Sequence, residues 1–416
     1  MKVYKFGGAS VKDADGVRNL VTVLQKLDFT KGILVVSAMG KMTNAFEKMV
    51  TSYFFEKESI SAQIESIANF HKKIAQELFG DKSQVIFSEI DIIIEEVKSF
   101  VKRNTSTDYN YVYDQIVSKA ELLSTKICSE FIKEKGIEIT WLDVRKCIKT
   151  NNDFRRAKVD WEKTTTQIKS QVNNTQLYIT QGFIAGNDKN TTTLGREGSD
   201  YTAAIFAYCL DAEEVTIFKD VAGVLNADPK VFKETILLNQ ISYKEAIEMA
   251  FFGASVIHPK TIQPLQKKII PLYVKSFLNP LQRGTKVCKG LDLEPKVPCF
   301  IVKKNQILLS ISDKEFHFVM ENDISQIFDY LHTFRLKVNL IQNSAISFTV
   351  CIEDNFNGFD LFIQKIKTKY KVLYNRNVEL YTIRHFTENS IQEIGKNKMV
   401  LLKQTSRETT QLVMES

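Results

Sequence analysis

Residues 193–208 read TLGREGSDYTAAIFAY, and the reading of this stretch decides the fold around it. Gly195 and Gly198 bracket the charged pair Arg196 and Glu197. Ser199 and Asp200 then stand where an N-cap and first turn belong, ahead of a compact apolar run over 201–210. The pattern predicts a glycine-rich loop feeding a helix. A helix start offers unpaired N–H donors and the positive end of a dipole. The Arg196 guanidinium adds a planar fork matched to carboxylate or phosphate, and the glycines let backbone approach a ligand closely. Taken alone, the same residues also fit an ordinary helix start with a solvent-exposed arginine. The flanking chain decides between the two.

Outward from this loop, strands end repeatedly in small polar residues. Residues 176–181 predict a strand that leads through Gly182 towards the loop. Residues 214–219 predict another, ending in KDVAGVLNADPK at 219–230, where turn formers and charges follow. At the start of the chain, residues 3–6 form an apolar strand interrupted by Gly7 and Gly8, with Lys5 just before the glycines and Ser10 placed to cap a helix over 11–27. Strand, glycine turn and helix start make an anion cradle, but the G-x-x-x-x-G-K-[ST] spacing is absent, so this is not a P-loop. Residues 32–39, GILVVSAM, have the continuous apolar character of a buried parallel strand and run into Ser37, Gly40, Lys41, Thr43 and Asn44. Polar groups at the carboxyl ends of parallel strands are where open α/β sheets hold ligands.

Residues 45–103 follow a helical period broken only by Gly80, 112–136 read as one further helix containing Glu121, and 137–142 as a strand. Residues 243–252 predict a helix closed by Gly253, then Ser255, a His258 read as a packed structural residue, and Lys260; 269–274 predict a strand. The expectation for 1–290 is an α/β domain, a mostly parallel sheet sandwiched by helices, with one side about 1–180 and the other about 181–290.

Residues 291–298, with Pro295 and Pro298, read as a linker, and beyond them the pattern changes. Strand 307–312, helix 323–332, strands 338–342 and 345–353, helix 359–369 and strand 371–374 give β-α-β-β-α-β, a ferredoxin-like α+β order. A second such unit begins at 379–384, has a short helix near Ser390, continues at 399–404 and 411–413, and stops short of its final helix and strand. The expected modules are about 307–376 and a truncated one at about 377–416, within a region 299–416. The incomplete strand set would expose an apolar edge unless a partner or residues 300–302 cover it, which favours a dimer.

Composition sets wide bounds. The 416 residues are 44% hydrophobic and 25% charged, ordinary values for a chain of two or three domains, and no apolar run approaches a bilayer span. With no signal-peptide core after Met1, the expected compartment is the cytoplasm. The net charge of +7 is spread widely; without aromatic and basic residues interleaved, a nucleic-acid partner is not expected. Six cysteines lie scattered with no C-x-x-C spacing or nearby histidine, so no metal site or disulfide framework is expected.

Four separated segments together carry a resemblance. KFGGAS at 5–10, SAMGKMTN at 37–44, AELLS at 120–124 and LGREGSDYTA at 194–203 occur in the order and with the character seen in aspartokinases. FGASVIHP at 252–259 and the paired C-terminal modules extend the likeness to nearly the whole chain. The sequence thus resembles a monofunctional aspartokinase of the amino-acid-kinase superfamily with C-terminal ACT modules. The resemblance implies transfer of the ATP γ-phosphoryl group to the side-chain carboxylate of L-aspartate, the first step toward lysine, threonine and methionine, with Mg2+ held mainly by nucleotide oxygens. It implies that Lys5 and the Gly7 and Gly8 amides bind the transferring phosphoryl, that Asp200 orients Lys5, and that Lys219, Asp220, Leu225, Lys230 and Ser255 lie on the nucleotide side. Arg196 would take a substrate carboxylate, with Ser37, Thr43, Glu121 and Ser199 recognising the rest; an anionic Glu121 is what a substrate ammonium requires.

This chain departs from the family pattern at Ala9 (usually Thr), Ala120 (usually Gly), Glu197 (commonly Gly), Leu225 (often Tyr), Lys230 (often Arg) and Ser255, where many relatives carry a nucleotide-contacting Lys; Lys260 or Lys219 would supply that charge. Val338, Asn339, Leu340, Asn343 and Ser344 resemble an effector strand for lysine or threonine. Asn339 stands where lysine-sensitive relatives often have Asp, so weakened lysine inhibition is expected, with homodimerisation through the ACT region. Related glutamate kinases lack the tail and the Glu121 logic. A catalytically weak amino-acid or nucleotide sensor is the alternative, motivated by Ser255 and the shortened second module.

Overall fold

The computed structural model describes residues 1–254, 257–290, 292–315, 317–396 and 398–415, so Ser255 lies outside the described residues. The chain divides into two compact units. The first comprises Met1–Val224, Leu237–Ile247 and Val256–Glu294; the second comprises Leu225–Ile236, Glu248–Ser255 and Pro295–Ser416.

The first unit is built on β1 (Lys2–Phe6), β2 (Gly32–Val36), β3 (Thr140–Leu142), β4 (Leu177–Gln181), the hairpin β5 (Ile184–Gly186) and β6 (Thr191–Thr193), β7 (Glu214–Lys219), β8 (Gln240–Ser242), β9 (Leu272–Ser276) and β10 (Thr285–Cys288). All but the hairpin form one sheet in the order β3-β4-β2-β1-β7-β9-β10-β8, parallel throughout except where β10 meets β9. Every residue of β2 is buried, as its unbroken apolar run requires of a strand covered on both faces. β1 lies mid-sheet, with Lys5 opposite Val35 on β2 and Ile217 on β7, so a lysine stands one residue before the end of a central strand.

The helices here are α1 (Ala14–Lys26), α2 (Met42–Phe55), α3 (Ile60–Phe79), α4 (Gln84–Arg103), α5 (Tyr109–Val117), α6 (Lys119–Glu134), α7 (Val144–Cys147), α8 (Trp161–Gln171), α9 (Gly198–Cys209), the start of α10 (Tyr243–Phe252) and α11 (Pro259–Lys268). α9 packs on β1, β2 and β7 with α8 and α11 against it; α6 packs on β3, β4 and β2 with α3 and α4 against it. Two expected helices differ. Ser10 does not start α1: a 3-10 turn at Gly8–Val11 comes first, and Asp13 caps α1, its carboxylate accepting the Gly16 N–H at 2.8 Å. The helix expected over 112–136 divides at Ser118, whose hydroxyl donates to the Gln115 carbonyl at 3.3 Å, a local bond that competes with the helical pattern.

The second unit holds a single antiparallel sheet of β11 (Cys299–Asp313), β12 (Lys337–Asn343), β13 (Ser347–Glu353), β14 (Tyr370–Arg384), β15 (Val400–Thr405) and β16 (Thr409–Glu415), ordered β12-β13-β11-β14-β16-β15. β11 and β14 are 15 residues each and run through both halves. In one half, α12 (Glu321–Thr333) and α13 (Phe359–Ile366) cover a core of Leu309, Ile311, Phe348, Val350 and Phe362. In the other, α14 (Glu388–Gly395) covers Tyr381, Ile383, Leu412 and Met414, joined by Phe232 and Phe300. Of the two covers expected for the second module's open edge, residues 300–302 supply it. That strand comes from upstream of the first module: Cys299 to Lys303 pair with Arg384 to Leu380, so the chain covers this edge itself. All six cysteines are free, and among the described residues no helix is long and apolar enough to cross a membrane.

Candidate active site

The carboxyl ends of β1, β2, β4 and β7 open onto a cleft of about 1120 Å3. Lys5, Gly8, Ser37, Thr43, Glu121, Arg196, Ser199, Asp200 and Lys219, all singled out from sequence, line it. Gly7 adjoins it, since a Cβ there would lie 3.3 Å from Lys5 Nζ. Asp220 is exposed beyond the end of β7, and Leu225 and Lys230 belong to the second compact unit.

Each side chain is placed by a local device. The Gly40 N–H donates to the Gly8 carbonyl at 3.0 Å, and a Cβ on Gly8 would meet the Ala38 carbonyl at 2.7 Å, so the turns after β1 and β2 nest only with glycine here. Glu121 sits in the first turn of α6, 2% exposed. Gly182 lets α9 approach β4 so closely that a Cβ would come within 2.4 Å of the Ser199 side chain.

α9 begins two residues earlier than its N-cap pattern suggests. Glu197, not Ser199, is the N-cap residue, in the left-handed region at φ 52, a conformation glycine enters more readily than glutamate. Its carboxylate accepts the His258 backbone N–H at 2.9 Å. His258 in turn caps α11, its Nδ1 accepting the Lys260 N–H at 3.2 Å, the structural part read for it in the sequence. Burial, with Lys260 and Arg196 nearby, holds its imidazole below the usual value.

The cleft is a balance of buried charges. Lys5 Nζ lies 2.7 Å from one Asp200 oxygen and Lys219 Nζ 3.9 Å from the other, with Asp200 only 3% exposed. One carboxylate thus fixes two ammonium groups side by side. Glu121 has no such partner. Burial pushes its carboxyl up to about 8, although its own backbone N–H and that of Ala38 pull the other way, and its Oε2 makes no hydrogen bond. Ser124 anchors the neighbouring turn by donating to the Ser37 carbonyl at 2.7 Å.

Sequence reasoning missed a rim on the side of α2 and α5: Glu47, Asn110, Tyr113, Phe154, Arg155 and Arg156 also line the cleft. Tyr113 donates to Glu47 at 2.5 Å, and the Arg155 guanidinium lies 4.4 Å from the Tyr113 ring centroid. The adjacent arginines at 155 and 156 were the available signal. Among the described residues, no three His, Cys, Asp or Glu side chains converge as a metal cage.

The amino acid kinase family matches residues 1–276. Lysine-sensitive aspartokinase 3 of Escherichia coli (strain K12) is 32% identical over 386 residues, which cover 91% of this chain and 84% of that protein. Bifunctional aspartokinase/homoserine dehydrogenase 1, chloroplastic, of Arabidopsis thaliana is 28% identical over 84% of this chain, which spans 40% of that longer protein. The crystal structure of E. coli aspartokinase III in complex with aspartate and ADP superposes with a TM-score of 0.82 at 26% identity, covering 100% of this chain and 96% of that one. The same enzyme in complex with lysine and aspartate gives 0.84 at 27%, covering 99% and 95%. On the whole-length match, the family match and the motifs gathered around one cleft, the chain belongs to the amino acid kinase family and, within it, to the aspartokinases.

Proposed function

We propose that this enzyme transfers the γ-phosphoryl group of ATP to the side-chain carboxylate of L-aspartate in the cleft at the carboxyl ends of β1, β2, β4 and β7. The observation that carries the reading is Glu121: a buried carboxylate with an unpartnered oxygen, in the same cleft as Arg196 and the Lys5, Asp200 and Lys219 cluster. A buried acid short of partners is costly until a cation completes it, and an amino-acid ammonium is that cation. N-acylated substrates carry none.

In this reading Arg196 pairs with the α-carboxylate and Ser37, Thr43 and Ser199 complete the substrate's polar shell. One oxygen of the β-carboxylate attacks the γ-phosphorus, the bond from that phosphorus to the β,γ-bridging oxygen breaks, and ADP leaves with the electron pair. No proton need move, because the attacking carboxylate is ionised near neutral pH. The protein's task is positioning and charge neutralisation. Lys5, held by Asp200, follows the transferring group with the Gly7 and Gly8 amides, and Lys219 faces the remaining phosphate charge. Magnesium would be held mainly by the nucleotide, since the described residues converge on no acidic cage, and when bound it would neutralise phosphate charge. The wider reading includes feedback by lysine or threonine at the β12 strand, a place in the pathway toward those amino acids, and self-association through the second unit's sheet, supported by exposed Ile341 and Ile346 beside its β12 edge.

Trapping acyl phosphate as hydroxamate with magnesium-ATP tests the reaction, with L-aspartate, L-glutamate and N-acetyl-L-glutamate in parallel and Lys5→Ala as control. Product with aspartate alone, lost in the variant, is expected. ATP binding without product from any of the three would replace this reading with that of a sensor.

A further inference from the structure

Asp114 takes no part in the chemistry above and does not line the cleft, yet it is one of the most heavily engaged acids in the first unit. It is fully buried on α5 beside Val112, Ile116 and Val117, and it accepts hydrogen bonds from the loop at Arg155 and from Thr193, where β6 ends and the loop to α9 begins. The Arg155 N–H reaches both of its oxygens, at 3.1 and 3.0 Å. Thr193 donates its N–H at 2.8 Å and its hydroxyl at 2.7 Å. A carboxylate can occupy such a place only when its lone pairs are met, and here every donor comes from elements other than its own helix.

Both loops carry cleft cations. Arg155 makes the first contact through its own N–H and Arg156 follows it, and Thr193 stands three residues before Arg196. The loops are also tied to each other. The Ala157 N–H donates to the Thr193 carbonyl at 3.0 Å, and a Cβ on Gly195, at φ +79, would come within 3.1 Å of the Arg155 carbonyl. Arg155 itself is held in the left-handed region at φ 66, its guanidinium 4.4 Å from the ring of Tyr113, the residue before Asp114.

We infer that Asp114 is a positioning residue for substrate binding: it sets Arg155 and Arg156 on one loop against Arg196 on the other, forming the cationic rim that receives a dicarboxylate. The inference rests on the aspartate reading. A rim of three guanidinium groups raises the local concentration of an anionic substrate and fixes the angle at which Arg196 meets its carboxylate. Without the buried carboxylate, the two loops lose their common acceptor and the rim its spacing.

The test uses the full chain. In Asp114→Asn the amide keeps one acceptor oxygen but turns an NH2 towards backbone donors. KM for aspartate is expected to rise about 10-fold, with kcat and KM for ATP within about 3-fold of wild type. Thr193→Val removes one donor of the set and should raise the same KM about 3-fold, and Thr193→Ser should restore it. Amide exchange over residues 194–198 should quicken in Asp114→Asn and stay slow in Thr193→Ser. A folded Asp114→Asn, or Thr193→Val if the former does not fold, with a wild-type KM for aspartate overturns the inference, as does an equal change in kcat and both KM values. If wild-type enzyme makes no hydroxamate from aspartate, the substrate reading fails instead, and the exchange comparison alone judges the loop-setting part.

Discussion

The cleft of the first unit and the sheet of the second both bury charge, but they treat it differently. In the cleft, Glu121 keeps an oxygen without a partner and Asp200 is shared between two lysines. In the sheet, comparable groups are taken up by the chain itself. Lys303 donates to the Asn339 carbonyl oxygen at 2.8 Å, and the Asn339 amide donates to the buried Gln306 at 2.7 Å. Glu379, 7% exposed, accepts from Tyr381 at 2.8 Å and pairs with Lys398. A saturated network fixes a structure; a buried charge left short implies a ligand that completes it. Asn339, placed by sequence in an effector strand, sits at an irregularity of β12 between Val338 and Leu340 with both ends of its amide used, so an effector ammonium must compete with Lys303 for it.

The comparison can be broken at four points. Removing the cleft's central cation with Lys5→Ala should lower kcat about 1000-fold with little effect on melting temperature, as loss of a transition-state donor does; a loss under about 10-fold would mean that the cluster is structural. Arg196→Ala should raise KM for aspartate about 100-fold and leave KM for ATP near wild type. Glu121→Gln should raise that KM about 30-fold and also remove a pH effect.

The sign of that effect follows from a carboxyl pushed up to about 8 from 4.5. A raised folded-state value means that Glu121 stabilises the free enzyme most below pH 4.5, and that this contribution is lost as pH rises through about 8. The melting temperature of the free enzyme should therefore fall over that window more steeply in wild type than in Glu121→Gln. Aspartate binding below pH 8 should release a proton, seen by calorimetry in buffers of different ionisation enthalpy. No proton release would remove Glu121 from the ammonium site. The smallest expected effect is in the sheet. Lys303→Met frees the Asn339 oxygen, and inhibition by lysine should strengthen about 3-fold; an unchanged inhibition constant would separate this network from effector binding.

Legibility in the sequence followed the distance between partners. Lys5, Gly7 and Gly8 form their cradle within four residues, and the strand and turn that make it were readable directly. Arg196 and Asp200 were readable from the glycine-bracketed loop and helix start that hold them, although Asp200's partner Lys5 lies far away in the chain. Arg155 was not, because its conformation is fixed by Asp114, 41 residues away, and the loop it faces is fixed by a bond spanning 79. The start of α9 was misplaced because Glu197 adopts a glycine-like backbone that no local residue announces. Ser118 divides a helix whose apolar period runs through it, and Asp13 competes with Ser10 for a cap only three residues away. In the second unit the ferredoxin-like order was legible, and of the two covers named for the second module's edge, a partner or residues 300–302, only the fold selects the second.

That last arrangement has a consequence for how the chain assembles. The half of the sheet between Ile307 and Tyr374 lies between the strand partners of the other half, which joins Cys299 to Arg384 and Val378 to Glu415. The first is nested inside the second. High sequence separation delays pairing, so residues 299–303, whose partners on β14 lie beyond the whole inner half, wait as an unpaired extension longest. Completion of the outer half becomes a late event gated by the arrival of the C-terminal strands. Pulse-labelled amide exchange during refolding should show β13 protected before residues 299–303, and a chain ending before Thr409 should keep the inner half while losing the outer one.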